Sequence, residues 1–245
     1  MTSKHVPTTS IIFCLGALAG SCGSGSKTCG PNPAGYQPAI VPSDFSTTID
    51  NKWLSFVPGT VTMYVQTSGN IVEQDVISDT RTIMGVTTLT VHDFLKTPAG
   101  DLVEDTYDYY AQDSTGNVWY FGEDTKAYSG TTVSTTGTWY GGVGCAQPGI
   151  VMNANPRIGD SYRQEYRPGE AEDQADVVSL SETVAVPYGT FSNCVMTKEY
   201  TALAPGDIEN KYYCENVGMV RAHDVGTIDA GNTEDLTSVN GRTMP

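Results

Sequence analysis

The stretch Leu102–Asp124, LVEDTYDYYAQDSTGNVWYFGED, carries six aromatic and six carboxylate side chains and no Lys or Arg. Tyr, Trp, Phe and Val suit a pleated surface, and Asp113-Ser114-Thr115-Gly116-Asn117 has turn chemistry, so the stretch reads as two strands joined by a turn. If Ala111 faces Trp119, then Tyr109 faces Phe121 and Tyr107 faces Glu123 on one side of the hairpin. Tyr110 and Tyr120 fall on the other side. Aromatics on both faces place this hairpin at the centre of a β-structure.

Outward from it, the same grammar repeats. Val61, Met63 and Val65 alternate with Thr62, Tyr64 and Gln66, the period of a half-buried strand. Further strands are expected at Ile71–Ile77, Val86–Leu95, Ala175–Val186, Thr190–Tyr200, Ile208–Cys214 and Val217–Ala222. Ser161–Arg167 reads as a polar strand. Thr125–Tyr140 reads as Thr-rich strands broken at Ser129-Gly130. Cys145–Asp160, with Pro148-Gly149 and Asn155-Pro156, reads as a loop. No segment sustains a helical period, and turn signals recur about every ten residues. The expected fold is all-β: a single antiparallel barrel or strongly curved meander, which leaves few open edges and encloses an interior.

The N-terminus reads as an export signal. Lys4 and His5 precede an apolar run, Ile11–Ala19, followed by small residues. The run is too short for a stable membrane span. Ala19-Gly20-Ser21-Cys22 resembles the pattern before a lipid-modified Cys, with Leu18 one place earlier than is commonest, and Gly23-Ser24-Gly25-Ser26 reads as a flexible tether. Ordinary cleavage, with Cys22 unmodified, is the plainer alternative. The expected organisation is a signal peptide at 1–21, tether and lead-in at 22–43, a barrel-like domain at 44–223 and a polar, frayed tail at 224–245.

Six Cys are present. Cys14 lies in the signal, and lipidation of Cys22 leaves four, an even number in an oxidising compartment. Cys194 and Cys214 flank the turn Ala204-Pro205-Gly206-Asp207, and a hairpin brings them opposite one another. Cys29 and Cys145 remain as the second pair.

The formal charge of −15 excludes a basic nucleic-acid surface and electrostatic docking on anionic membranes. Contact with a membrane is expected only through the lipid. There is no H-E-x-x-H, G-x-S-x-G, P-loop or dinucleotide fingerprint, and the Asp229–Asp235 run lacks calcium-loop spacing. No cofactor and no metal are expected.

Two constellations remain. Tyr107, Tyr109, Trp119 and Phe121 suit a hydrophobic or aromatic ligand, although strand aromatics are commonly core. Arg157, Arg163 and Arg167, with Asp160 and Glu165, suit either an anion or a ladder of cross-strand ion pairs. The expected function is an exported envelope lipoprotein that binds a small hydrophobic or aromatic ligand through Tyr107, Tyr109, Trp119, Phe121 and Arg163. The alternative is a secreted glycan-cleaving enzyme with Glu123 or Glu165 as acid or base and Tyr107 or His92 as partner.

Several blocks carry a resemblance: Tyr109-Tyr110-Ala111-Gln112-Asp113, Gly116–Glu123 (GNVWYFGE), Gln147–Met152 (QPGIVM) and Gly159–Tyr166 (GDSYRQEY). Together they resemble a widespread family of exported bacterial proteins, over about Phe45 to Val220. The resemblance implies an exported β-rich domain and brings no catalytic residues. The chain departs from it at Cys214-Glu215-Asn216, where the family pattern has Ala-Pro-Gly.

Overall fold

The computed structural model describes residues 35–242. A 3-10 turn at Pro42–Asp44 leads into the short strands β1 (Phe45–Ser46), β2 (Ile49–Asp50) and β3 (Ser55–Phe56). The long meander follows: β4 (Val61–Gln66), β5 (Ile71–Ile83), β6 (Val86–Lys96), β7 (Leu102–Asp113) and β8 (Val118–Ser129). Shorter pieces come next: β9 (Thr132–Ser134), β10 (Trp139–Tyr140), β11 (Gln147–Met152), β12 (Ser161–Arg163) and β13 (Glu165–Tyr166). A second meander ends the fold: β14 (Asp173–Val186), β15 (Gly189–Thr201), β16 (Ile208–Cys214), β17 (Gly218–Asp224) and β18 (Thr233–Val239).

Apart from the β2–β3 hairpin, these strands form one sheet with the path β12-β14-β15-β16-β17-β18-β4-β5-β6-β7-β8-β11-β13. The fold is all-β and barrel-like, as expected. Its two end strands, β12 and β13, are separated in sequence by Gln164 alone. Ser161–Arg163 pairs with β14, whereas Glu165–Tyr166 pairs with Pro148 and Gln147 on β11. One short segment thus touches both edges of the sheet and draws them together.

Gly149 explains how the segment fits. A Cβ there would lie 2.4 Å from both the Arg163 carbonyl oxygen and the Gln164 carbonyl carbon. Backbone atoms cannot swing aside as a side-chain tip can, so Gly149→Ala is expected to lower stability by roughly 1–3 kcal/mol. An unchanged urea midpoint would show that close passage at Gly149 is not needed for closure.

The structure differs from the sequence reading in four places. Gln147–Met152 is strand β11, not loop, and it pairs with β8. The supposed tail contains β18, which lies between β17 and β4, so the domain extends past His223. The strand expected at Ser161–Arg167 is split at Gln164. In the central hairpin, Ala111 does face Trp119, but a bulge then shifts the register. Tyr110 faces Tyr120, Tyr109 faces Gly122, and Tyr107 faces Asp124 rather than Glu123. Phe121 is the extra residue. Gly122 makes this possible: its φ is +145°, and a Cβ would sit 2.4 Å from the Trp139 carbonyl oxygen of β10.

Cys194 and Cys214 form the expected hairpin disulfide, with 4.3 Å between their Cα atoms. Cys145 is also disulfide-bonded. Cys29 and Cys22, like residues 1–21, lie outside the described residues.

Candidate functional site

The inner face of the sheet is built by alternation, shifted by one residue where a strand bulges. On β16, Glu209, Lys211 and Tyr213 are buried and alternate with more exposed Asn210 and Tyr212. On β7, Thr106, Asp108 and Tyr110 are buried on the same side, and on β8 Tyr120, Glu123 and Thr125 join them. One end of this interior is apolar and aromatic. The remainder is lined with carboxylates, an arrangement a hydrophobic core does not need.

At the apolar end lies a cavity of about 270 Å³. Its lining includes residues of β3, the start of β4, the β16–β17 turn and the end of β18. Asn216 N–H donates to the Lys52 carbonyl at 2.7 Å, and Asn240 ties back to Val61 through bonds of 2.7 and 2.9 Å. The walls carry Phe56, Tyr64, Tyr110, Tyr213 and Met219. Phe56 packs against Tyr110 with ring centroids 4.8 Å apart, and Tyr110 stacks on Tyr120 at 5.0 Å. Gln74, Gln164, Lys211 and Glu234 supply the polar lining.

Lys211 is 5% exposed, and its ammonium lies 2.9 Å from Glu199 Oε2 and 3.3 Å from Glu209 Oε2. Burial pushes the lysine pKa down, but the two carboxylates outweigh it and hold Lys211 protonated. Burial pushes Glu209 up, against the attraction of Lys211. Glu234 is pushed up to about 7 by burial, opposed by a hydrogen bond from Gln66 at 3.1 Å and by Lys211. Asp93 and Asp108 are buried close together, and burial with the repulsion of Asp108 raises Asp93 well above the usual range. Asp108 also accepts from the Tyr120 hydroxyl at 2.6 Å and is pushed up to about 6, chiefly by burial. Among the described residues, no three His, Cys, Asp or Glu are disposed to hold a metal ion.

The residues expected to bind ligand lie elsewhere. Tyr107, Tyr109, Trp119 and Phe121 belong to the opposite face of the hairpin and are packed into a separate cluster with Ile83, Val86 and Ala111, beneath Ile40 and Phe45. Phe45 meets Trp119 and Phe121 edge-on at 5.9 and 5.3 Å. Trp119 Nε1–H donates to Asp113 at 2.8 Å, and Tyr109 O–H donates to Asp124 at 2.9 Å. Arg163 lies over the Tyr166 ring at 4.6 Å and the Tyr36 ring at 5.9 Å. None of the five lines the cavity. The hairpin is central, but the face it turns to the cavity is that of Tyr110, because the lead-in covers the other.

The alternative catalytic set is also divided. His92 stacks on Tyr107 at 3.8 Å and lies 2.7 Å from Asp105, on the face away from the cavity. Glu123 and Glu165 do come within electrostatic reach of each other near Tyr120, because the bend at Gln164 turns both Gln164 and Glu165 inward. They are 4% and 0% exposed and do not line the cavity. The Arg cluster disperses as well: Arg167 pairs with Glu170 at 2.8 Å, and Asp160 accepts the Arg157 backbone N–H at 2.8 Å.

Neither a family model nor a curated protein sequence matches the chain. Two solved structures are similar: a presumed exported protein with a YMCC-like fold from Bacteroides fragilis, and a presumed lipoprotein from Parabacteroides distasonis. Each is 14% identical, with a TM-score of 0.45, over 77% of this chain and 98% of the other. That distance transfers no function.

Proposed function

We propose that the protein is an exported envelope protein, anchored by lipid at Cys22, whose barrel cavity binds a small apolar or aromatic ligand without turning it over. The cavity carries this reading: about 270 Å³, walled by aromatic rings, with a few polar groups among them. Ligand sites have this composition, and the volume suits a compact molecule rather than a long lipid. Export is supported by the Ile11–Ala19 run with Cys22, and by the Cys194–Cys214 disulfide. Binding without turnover fits the seclusion of Glu123 and Glu165 from the cavity.

The neutral fluorophore N-phenyl-1-naphthylamine is the probe. Wild type is expected to enhance its emission saturably. Thr62→Phe, which places a ring in the lumen from a half-buried lining position, is expected to weaken binding at least about tenfold, about 1.4 kcal/mol. Equal binding by the two proteins would remove the cavity as the site. Intact mass of the protein from a bacterial membrane fraction reads the anchor: a chain beginning at diacylglyceryl-modified Cys22 is expected, and an unmodified chain would refute it.

A further inference from the structure

We infer that the ligand of this cavity is an amine, a compact apolar or aromatic body whose ammonium end is received by the free oxygen of Glu234. The inference rests on the cavity reading and names the ligand class for it.

Glu234 is 1% exposed and lines the cavity. Its Oε2 accepts from Gln66 Nε2 at 3.1 Å, while Oε1 has no hydrogen-bond donor. A buried acceptor left unmatched is costly, so a donor brought in by the ligand recovers that cost. The cavity has no spare cation to supply it. Lys211, the cationic side chain in the lining, is already engaged by Glu199 and Glu209.

The local charge balance gives the direction. Around one ammonium stand Glu199 and Glu209, with Glu234 and Asp224 acting on Glu209 from nearby. Burial pushes Glu209, Glu234 and Asp224 toward their protonated forms, and an entering ammonium favours ionisation of Glu234 where an anion would oppose it. An entering carboxylate or phosphate would meet this excess of acid at short range in a poorly screened interior. A cation would be drawn to it. The wall is also suited to a cation, since Tyr64, Tyr110, Tyr213 and Phe56 offer ring surface to an apolar body and its charged end. A hydroxyl could donate to Oε1 but would not stabilise the ionised carboxylate as an ammonium does, so an amine is preferred over an alcohol of the same shape.

The test uses three probes that differ only in the head: 4-phenylbutylamine, 4-phenylbutan-1-ol and 4-phenylbutyrate, titrated calorimetrically into the full chain. The amine is expected to bind at least tenfold tighter than the alcohol, and the butyrate weakest. Glu234→Gln, which keeps the size and the capacity to bond Gln66, is expected to bring amine and alcohol to similar affinity. The probe series on wild type decides the matter even if that variant folds poorly. Alcohol or butyrate binding as tightly as the amine overturns the inference and leaves the cavity reading standing. No binding by any of the three, while the neutral fluorophore binds, also overturns the inference alone. Failure of the fluorophore too overturns both.

Discussion

Lys211→Met is expected to lower unfolding free energy by about 3–5 kcal/mol at pH 7.5, the cost of removing one partner from a buried ionic group. Met preserves the volume of the side chain, so the loss isolates charge from packing. In the native protein the ammonium lies between Glu199 and Glu209, all three 5–6% exposed. Without it, the two carboxyls remain in a wall that also holds Asp224 and Glu234, and at least one must take a proton to stay buried. The deficit is therefore expected to shrink at pH 5, where protonation is easy. Adding Glu199→Gln and Glu209→Gln is expected to restore most of the loss at pH 7.5, since two neutral amides and a thioether need no counter-charge. Urea unfolding of the three proteins at both pH values measures this. A Lys211→Met variant within 1 kcal/mol of wild type at pH 7.5, on the order of a typical exposed pair, would show that the group is solvated and not buried.

The same acidic interior explains which parts of the molecule can be read from sequence. Strands with a regular alternation between clear turns, such as Val61–Gln66 and Ile208–Cys214, are legible with their boundaries even though polar side chains such as Gln66, Glu209 and Lys211 point inward, and so is the Cys194–Cys214 hairpin. Strand β18 is not. Its inward side chains are Glu234 and Leu236, so half of its buried face reads as polar tail. Strand β11 is hidden by Pro148-Gly149, residues that ordinarily break strands. Gly149 is required there because the closing segment passes against it. The central hairpin is legible in position but not in orientation. Aromatics occupy both of its faces, and the heavier set, Tyr107, Tyr109, Trp119 and Phe121, packs under the lead-in. Period alone gives no reason to prefer Tyr110 and Tyr120. A hint lies in their company: Thr106, Asp108, Glu123 and Thr125 share that face, a polar lining that suits a barrel interior more than a covered outer surface. The cavity floor is illegible because Lys211 and Glu234 look like surface residues until the sheet closes around them.

The wild-type protein is expected to be most stable near pH 5 and to lose stability steadily toward pH 8, the reverse of a fold whose carboxylates are held by salt bridges. Burial pushes Glu104 up to about 8, Asp173 and Glu234 to about 7, and Asp108 to about 6. In the unfolded chain these groups titrate near pH 4. Between those limits the folded state binds more protons than the unfolded state, so stability falls as pH rises. The contribution is full below the unfolded values and is lost progressively from about pH 4 up to the folded values of 6 to 8. Asp113 acts in the opposite sense. Burial alone would raise it, but hydrogen bonds from Thr115, Trp119 and Asn117 hold it low, so its smaller contribution is lost as pH falls. A tenfold difference in proton affinity between folded and unfolded chain is worth about 1.4 kcal/mol. The four raised groups together give a loss on the order of 5 kcal/mol between pH 5 and 8 once their mutual coupling is allowed for. Urea midpoints at pH 5, 6.5 and 8 follow the decline. Glu104→Gln replaces the carboxyl with the highest of these pKa values by a group that stays neutral. It is expected to flatten the upper end of the profile and to leave the variant more stable than wild type at pH 8. Midpoints that rise from pH 5 to 8 would mean that water or counter-ions reach these carboxyls, and the interior would then be an aqueous lumen and not a packed acidic wall.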